Sequence, residues 1–583
     1  MNQTRLLKHF DLISGAPDAV PRLRQFILEL AVRGRLAEQD PSEGSAFELL
    51  GQIQQEKARL VKAGTIRSRK VVEANVRAED ELYPLPAGWM WCRLSDVGAI
   101  VGGGTPPSDD ASNFTTSGSG TAWLTPADLG RQQEEYVSHG ARDLTPVGLA
   151  SSSATMMPKG SVLFTSRAPI GYTAIAANEL STNQGFKSVV PFVMSCNRYV
   201  AVYFRAFGRR IEEMASGTTF REVSGRIVSA LPFPLPPLAE QQRIVAKVDE
   251  LMALCDRLEA AQAERERRRD RLAASSLSRL NQPANDHSFR DDAGFYLAQF
   301  PRLTLRAEHI GALRETIVNF AVRGKLVRQD VRDECTRELL ARSKTEREQL
   351  VKQGALKRVA PPNWVGIDEA PFEPPAGWAW VTIGDLLLGD SQNGYSKKPD
   401  GAADGVPVLR ISAGTTRRDG MVAEEEHKRS GGISSELRAH YGLLPGDLLA
   451  CRFNGNRSFV GRLSLYTGYL GLDPIYPDKL IRLRLLSQFF LPKLVVYFAQ
   501  SSVVRRDIED YCATTVGNWG ISASNLKNVK IPIPPLAEQH RIVARLDELM
   551  ASCDRLETLV TTARTDERGL LDTVLHEALA VGA

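Results

Sequence analysis

The chain has 583 residues, 43% of them hydrophobic and 24% charged, with a formal net charge of +4. That length holds roughly three or four domains with full-sized cores, and the composition is that of an ordinary globular protein, so disorder is not the expectation. The small net charge excludes a uniformly basic chain, so any nucleic-acid contact must come from local clusters.

In chain order, residues 1–84 read as a helical arm. Leu23 to Asp40 places Phe26, Ile27, Leu30 and Ala31 on one helix face, and Phe47 to Lys62 follows as a second amphipathic segment, with Gly34 and Gly64 as interruptions. The sequence PAGWMW (Pro86 to Trp91) then opens a domain, its tryptophans expected to pack an entry strand on the core. Residues 85–235 read as a mixed α/β globule. SVLFTS and KSVVPFVM are expected strands, GGGTPPSDD a loop, and Asn197 to Met214 a helix.

Residues 236–285 read as a long helix opened by PPLAEQ. Two prolines suit a helix start, and Glu240 meets the positive end of the helix dipole. Ile244, Val248, Leu251, Cys255 and Leu258 step by alternating fours and threes, the seam of a coiled coil. ERERRRDR (Glu264 to Arg271) extends this helix as a solvated face, and SRLNQPANDHSFRDD is expected to be its exposed end and linker.

The order then repeats. Residues 286–373 form a second arm, 374–533 a second globule entered through PAGWAW, and 534–583 a second long helix. VPVLRIS, GDLLACRF and GRLSLY are expected strands of the second globule, and Phe489 to Asp510 one helix. The second seam is Ile542, Leu546, Leu549, Cys553 and Leu556, continuing to Val560. The stretches Pro236 to Glu259 and Pro534 to Glu557 differ only at Gln242/His540, Lys247/Arg545, Val248/Leu546 and Leu254/Ser552. Ala321 follows Ala31 by 290 residues, Pro375 follows Pro86 by 289, and Pro534 follows Pro236 by 298, each about half of 583. The chain is a tandem duplication in which the helical parts are alike and the globules have diverged.

These residues carry a resemblance. Two PPLAEQxRIVAxxDELM helices at half-length spacing, AVRG arms, and weaker signatures in GGGTP, NQGFK and GDLLACR resemble the specificity subunit of type I restriction-modification systems, over essentially the whole chain. The expected fold class is α+β. Two mixed α/β target-recognition globules are separated by long antiparallel coiled-coil helices, with pseudo-twofold duplication. The resemblance implies that each globule reads one part of a split double-stranded DNA target, while the helices set the gap and hold two methyltransferase subunits. Restriction translocase-nuclease subunits would join them. It implies no cofactor on this chain, with S-adenosylmethionine, ATP and magnesium on the partners.

Base reading needs fork-shaped or amide side chains on rigid supports, and phosphate binding needs cations and hydroxyls. The candidates in the first globule are Ser166 and Arg167 at a strand end, and Thr218, Thr219 and Arg221 before the long helix. In the second they are Arg452, Asn454, Asn456 and Arg457 after GDLLA, Thr514, Thr515 and Asn518 before the long helix, and Lys397 and Lys398 for phosphates.

Two rival readings are a single-chain DNA methyltransferase or nuclease and an assembly scaffold that binds no DNA. For the former, Asp473-Pro474-Ile475-Tyr476 lacks the second proline of a base-gripping motif and reads as a turn, and Pro399-Asp400 with Glu426-His427-Lys428 is a chance-prone nuclease pattern. There is no phosphate loop of the G-x-x-x-x-G-K-[ST] kind and no HExxH. Seven cysteines without a CxxC pair point to reduced thiols and no structural zinc. With no export pattern and no apolar run of about 18 residues, a cytoplasmic protein without membrane contact is expected.

Overall fold

A computed structural model describes residues 16, 18–64, 76–131, 134–216, 221–281, 286–304, 306–356, 365–415, 417–422, 427–468, 473–515 and 517–580. Thr218 and Thr219 lie outside them, as does Glu426 of the nuclease-like pattern. The chain divides into two compact units, Met1–Arg265 with Arg564–Ala583, and Glu266–Ala563.

In the first unit, helices α1 (Ala19–Val32) and α2 (Ala46–Lys62) form the arm. Ser45 caps α2 in a reciprocal box with Glu48, satisfying two backbone donors that would otherwise be orphaned. The entry strand β1 (Met90–Arg93) pairs antiparallel with the exit strand β7 (Pro232–Leu235), so the globule is tied off at its neck. Inside, β2 (Gly98–Gly102), β3 (Tyr136–Val137), β4 (Val162–Ser166), β5 (Ile170–Ala176) and β6 (Lys187–Pro191) form a sheet in the order β2-β6-β4-β5-β3. Helix α3 (Asn197–Glu213) covers one face, stacking Phe204 on Phe164 with ring centroids 4.4 Å apart. A short helix α4 (Gly225–Ala230) leads into β7. The long helix α5 (Leu238–Asn281) runs 44 residues without a break, about 66 Å at 1.5 Å per residue.

The second unit repeats this order. After α6 (Asp286–Leu303), the arm helices are α7 (Ala307–Val322) and α8 (Thr336–Lys352). Entry strand β8 (Ala379–Thr382) pairs with exit strand β16 (Lys530–Ile533). The sheet contains β9 (Gln392–Asn393), β10 (Leu448–Cys451), β12 (Leu463–Leu465) and β13 (Leu480–Leu483) in the order β9-β13-β10-β12. That order matches β2-β6-β4-β5 of the first globule strand for strand. A separate three-stranded sheet joins β11 (Phe453–Asn454), β15 (Asn518–Gly520) and β14 (Ala513–Thr515), with β15 central. The helix expected over Phe489 to Asp510 is two helices, α9 (Pro492–Ala499) and α10 (Ser502–Asp510). Ser501 breaks it by capping α10 with its hydroxyl. Helix α11 (Ala523–Lys527) precedes β16, and α12 (Leu536–Ala580) closes the chain.

The repeated motifs meet in space. Trp89 and Trp378 are buried, and each donates its indole N–H to a PLAEQ carboxylate, Trp89 to Glu240 and Trp378 to Glu538, both at 2.9 Å. Gln241 and Gln539 donate to the proline carbonyls five residues back, Pro236 and Pro534. Arg243 pairs with Glu43, and Arg541 with Asp333. The AVRG glycines Gly34 and Gly324 have φ of +66° and +67°, and a Cβ there would overlap Pro86 or Pro375 of the PAGW sequences. Only glycine meets both demands.

The seam residues are buried or half-buried, and they pack against the arm and globule of their own unit. Ile244, Val248 and Cys255 share a core with α1, α3 and β1, and Leu251 and Leu258 pack on it. Ile542, Leu546 and Cys553 do the same in the second unit, with Leu549, Leu556 and Val560 on the margin. Arg24 of α1 holds Asp256 and Glu259, and Arg314 of α7 holds Asp554 and Glu557. The far end of each long helix belongs to the other unit. Ala273, Leu277 and Leu280 of α5 pack with Tyr296 and Leu303 of α6, and Asp270 pairs with Arg306 and His309. Leu571, Val574 and Leu575 of α12 pack with Ala16 and Ala19 at the start of α1, and Arg568 pairs with Asp18. The expected exposed linker after α5 is helical from Asp286 onward. Among the described residues, no helix is long and apolar enough to cross a membrane.

Candidate nucleic-acid interface

Each globule presents the same backbone frame at the end of its central strand. In the first, the N–H of Ser166 at the end of β4 donates to the Gly185 carbonyl (2.7 Å), and its carbonyl accepts from Val223 (3.0 Å). In the second, Arg452 follows β10, donates to Lys479 (2.8 Å) and accepts from Ile521 (3.0 Å). A backbone loop also crosses each frame closely. A Cβ on Gly103 would overlap the carbonyl oxygens of Thr182 and Asn183, and one on Gly394 those of Tyr476 and Pro477. Gly104 and Tyr395 complete the crossing by donating to Thr182 and Tyr476. A reversal precedes each exit strand, bridged by Ser216 and Glu222 in the first globule and closed by Thr515 opposite Asn518 in the second.

The frame brings GGGTP and NQGFK together in the first globule, where Thr105 hydrogen-bonds Gln184. Ser166 is fully buried, its hydroxyl donating to Gly185, so it supports the frame and does not face solvent. Arg167 is half-buried and 3.8 Å from Glu222, which also holds Lys187 at 2.9 Å. Arg221 is exposed and donates to the Glu212 carbonyl. Lys187 and Glu222 were missed from the sequence, because their pairing spans 35 residues.

In the second globule, Arg452, Asn454, Asn456, Arg457, Thr514, Thr515 and Asn518 converge on the β11-β15-β14 sheet. Arg452 lies 4.8 Å over the Phe453 ring and donates to the Asp478 carbonyl. Lys479, not singled out from the sequence, is 5.1 Å over the same ring. Arg457 lies 4.9 Å over Trp519 and donates to the Glu509 carbonyl at 2.7 Å. Asn454 and Asn456 accept backbone N–H groups two residues on, the turn-forming role of this residue type. Thr514 and Asn518 are exposed. Lys397 and Lys398 are exposed, beyond the glycine crossing at Gly394. Burial first, and then the charges of Arg505 and Arg418, pull the Arg462 guanidinium below its ordinary value.

The catalytic look-alikes resolve into structure. Tyr476 is fully buried, its hydroxyl donating to Gln392, and Ile475 bridges Val408, so this stretch is core backbone where a turn was expected. Asp400 accepts the N–H groups of Gly431 and Ala402, which hold its carboxyl below the usual range. Among the described residues, no three His, Cys, Asp or Glu side chains group to hold a metal ion.

Comparison with known proteins bears on this geometry. The family described as "Type I restriction modification DNA specificity domain" matches residues 86–265 and 503–562, the first globule with its long helix and the end of the second globule with its own. The chain is 28% identical over 574 residues to the type I restriction enzyme EcoEI specificity subunit of Escherichia coli, covering 96% of this chain and 94% of that one. It is 27% identical over 578 residues to the EcoAI specificity subunit of Escherichia coli, with the same coverage. The crystal structure of the HsdS subunit from Thermoanaerobacter tengcongensis matches at 19% identity and a TM-score of 0.39, over 85% of this chain and 98% of that one. Along nearly its whole length, and at both copies of its PLAEQ scaffold, the chain is similar to the specificity subunits of type I restriction enzymes.

Proposed function

We propose that each globule reads one part of a bipartite double-stranded DNA target, and that the chain is the non-catalytic reader of its complex. The observation that carries this reading is one backbone frame used twice with different side chains: Arg167, Lys187 and Glu222 on the first, Arg452, Lys479, Thr514 and Asn518 on the second. A scaffold that held proteins through equivalent surfaces would have no need of two diverged sets on one frame.

The long helices set the gap between the readers, pairing as an antiparallel coiled coil along the stretch between their buried ends. Support for the antiparallel course comes from their membership: α5 begins in the first unit and ends in the second, and α12 does the reverse. The arms and helices dock two methyltransferase subunits, with translocase-nuclease subunits joining for restriction. S-adenosylmethionine, ATP and magnesium belong to those partners, and the assembly works in the cytoplasm.

The test is a base-modification map of the source genome with and without this gene. A two-part motif with a fixed gap, present only with the gene, is expected. A modification pattern unchanged by its loss would overturn the reading, as would purified chain that methylates or cuts DNA alone.

A further inference from the structure

The second globule separates bracing arginines from an open reading amide. A bidentate guanine contact needs two adjacent N–H groups of one guanidinium free on the same edge. Arg457 commits one terminal nitrogen to the Glu509 carbonyl, and its Nε is buried without a hydrogen bond. Arg452 commits Nη1 to Asp478, and its Nε is likewise buried. In each, the edge that carries Nε is closed to a base.

In hairpin β14-β15 the last pair is Thr515 opposite Asn518, Gly517 has φ of +81°, and Ala513, Thr514, Gly517 and Asn518 are exposed. Strand β11 pairs only with Trp519 and Gly520, so the end carrying Asn518 extends past the third strand. Beside it is Gly455, which has no side chain to cover the Asn518 carbonyl, 3.7 Å from where a Cβ would be. Strand alternation puts Trp519, under Arg457, on one face. It puts Asn518 on the other, with Phe453 and the charges of Arg452 and Lys479 above that ring. The amide of Asn518 has no hydrogen-bond partner among the described residues.

Resting on the assignment of this globule as a DNA reader, we infer that β14-β15 is the ribbon it inserts into the major groove and that Asn518 reads an adenine there. An asparagine amide matches adenine in the major groove, its carbonyl accepting from N6 and its NH2 donating to N7. A two-stranded ribbon fits that groove. Lys479, exposed on the same face, holds a phosphate, while Arg457 is a positioning residue that keeps Trp519 and the ribbon in place.

The experiment uses the full chain with its methyltransferase partners, bound to duplexes in which either half-target is randomised. Asn518→Ala is expected to lower discrimination at one adenine of the second globule's half-target at least tenfold and to leave the other half-target unchanged. Arg457→Lys is expected to weaken binding about tenfold on every sequence without changing the bases selected. An adenine still fully selected in Asn518→Ala, or altered base choice in Arg457→Lys, would overturn the inference while leaving the reader assignment intact. Wild-type complex that selects no two-part sequence would overturn the reader assignment and this inference with it.

Discussion

The two units bury nearly the same scaffold yet solve its polar contacts differently. Glu240 accepts from Trp89 on one oxygen and from Gln39 on the other, whereas Glu538 accepts from Trp378 on one oxygen and its second is buried without a partner among the described residues. Further along the arms, Arg347 is buried and donates to the Asp385 carbonyl at 2.7 Å, while Lys57 at the matching position donates to the Ser95 carbonyl at 3.4 Å and lies over the Phe192 ring. Trp380 donates to the Phe372 carbonyl, but the buried Trp91 indole N–H has no partner among the described residues. The tolerance differs by layer. Helix faces and the PAGW–PLAEQ latch were held nearly constant after duplication, their immediate polar neighbours drifted, and the side chains over the reading frame changed entirely.

The largest effect is expected where the units are most alike. Ile244→Ala and Ile542→Ala each empty a fully buried site and should each cost about 2 to 5 kcal/mol in denaturant unfolding. A negligible cost in one of them would break the equivalence of the two scaffolds. Next come the latches. Trp378→Phe strips Glu538 of its hydrogen bond and should cost about 1 to 3 kcal/mol, more than Trp89→Phe, because Gln39 still serves Glu240. Equal losses would mean that Gln39 contributes nothing.

The same pair sets a pH dependence. Burial, the largest influence, raises both glutamates above the ordinary value of 4.5, so the folded chain keeps these protons to higher pH than the unfolded chain does. Their protonated forms therefore favour folding on the acid side, and that contribution fades as pH rises from about 4.5 through the raised folded values. Glu538→Gln keeps an acceptor for the Trp378 indole and should flatten this slope. An unchanged stability profile between wild type and variant would contradict the assignment. The smallest effect is expected at Arg418→Ala, whose exposed guanidinium pairs with Glu557 at 3.0 Å; a loss within about 1 kcal/mol is expected from thermal unfolding.

Much of this architecture is legible in the sequence because it rests on local periodicity. The seam spacing yields α5 and α12, and SVLFTS, KSVVPFVM and GDLLACRF yield β4, β6 and β10. What pairs with what is not local. The Trp89–Glu240 bond spans 151 residues, and nothing in PAGW or PLAEQ names the other. The seam itself has the spacing for a partner rod, and the spacing alone does not reveal that arm and globule cover these stretches. In the reading frame, sequence favours arginines because of their chemistry, but only the fold discloses that Arg457 and Arg452 each brace a backbone carbonyl and bury Nε while Asn518 stays open.

The central claim is that one frame serves two interchangeable readers. Its most direct test replaces residues 379–533 with residues 90–235, both bounded by the paired entry and exit strands, and maps base modification in cells carrying that chain. The expected result is a target whose two parts are copies of the first globule's half-target. A stable chain that still specifies the original second half, or that specifies no second half at all, would contradict the account.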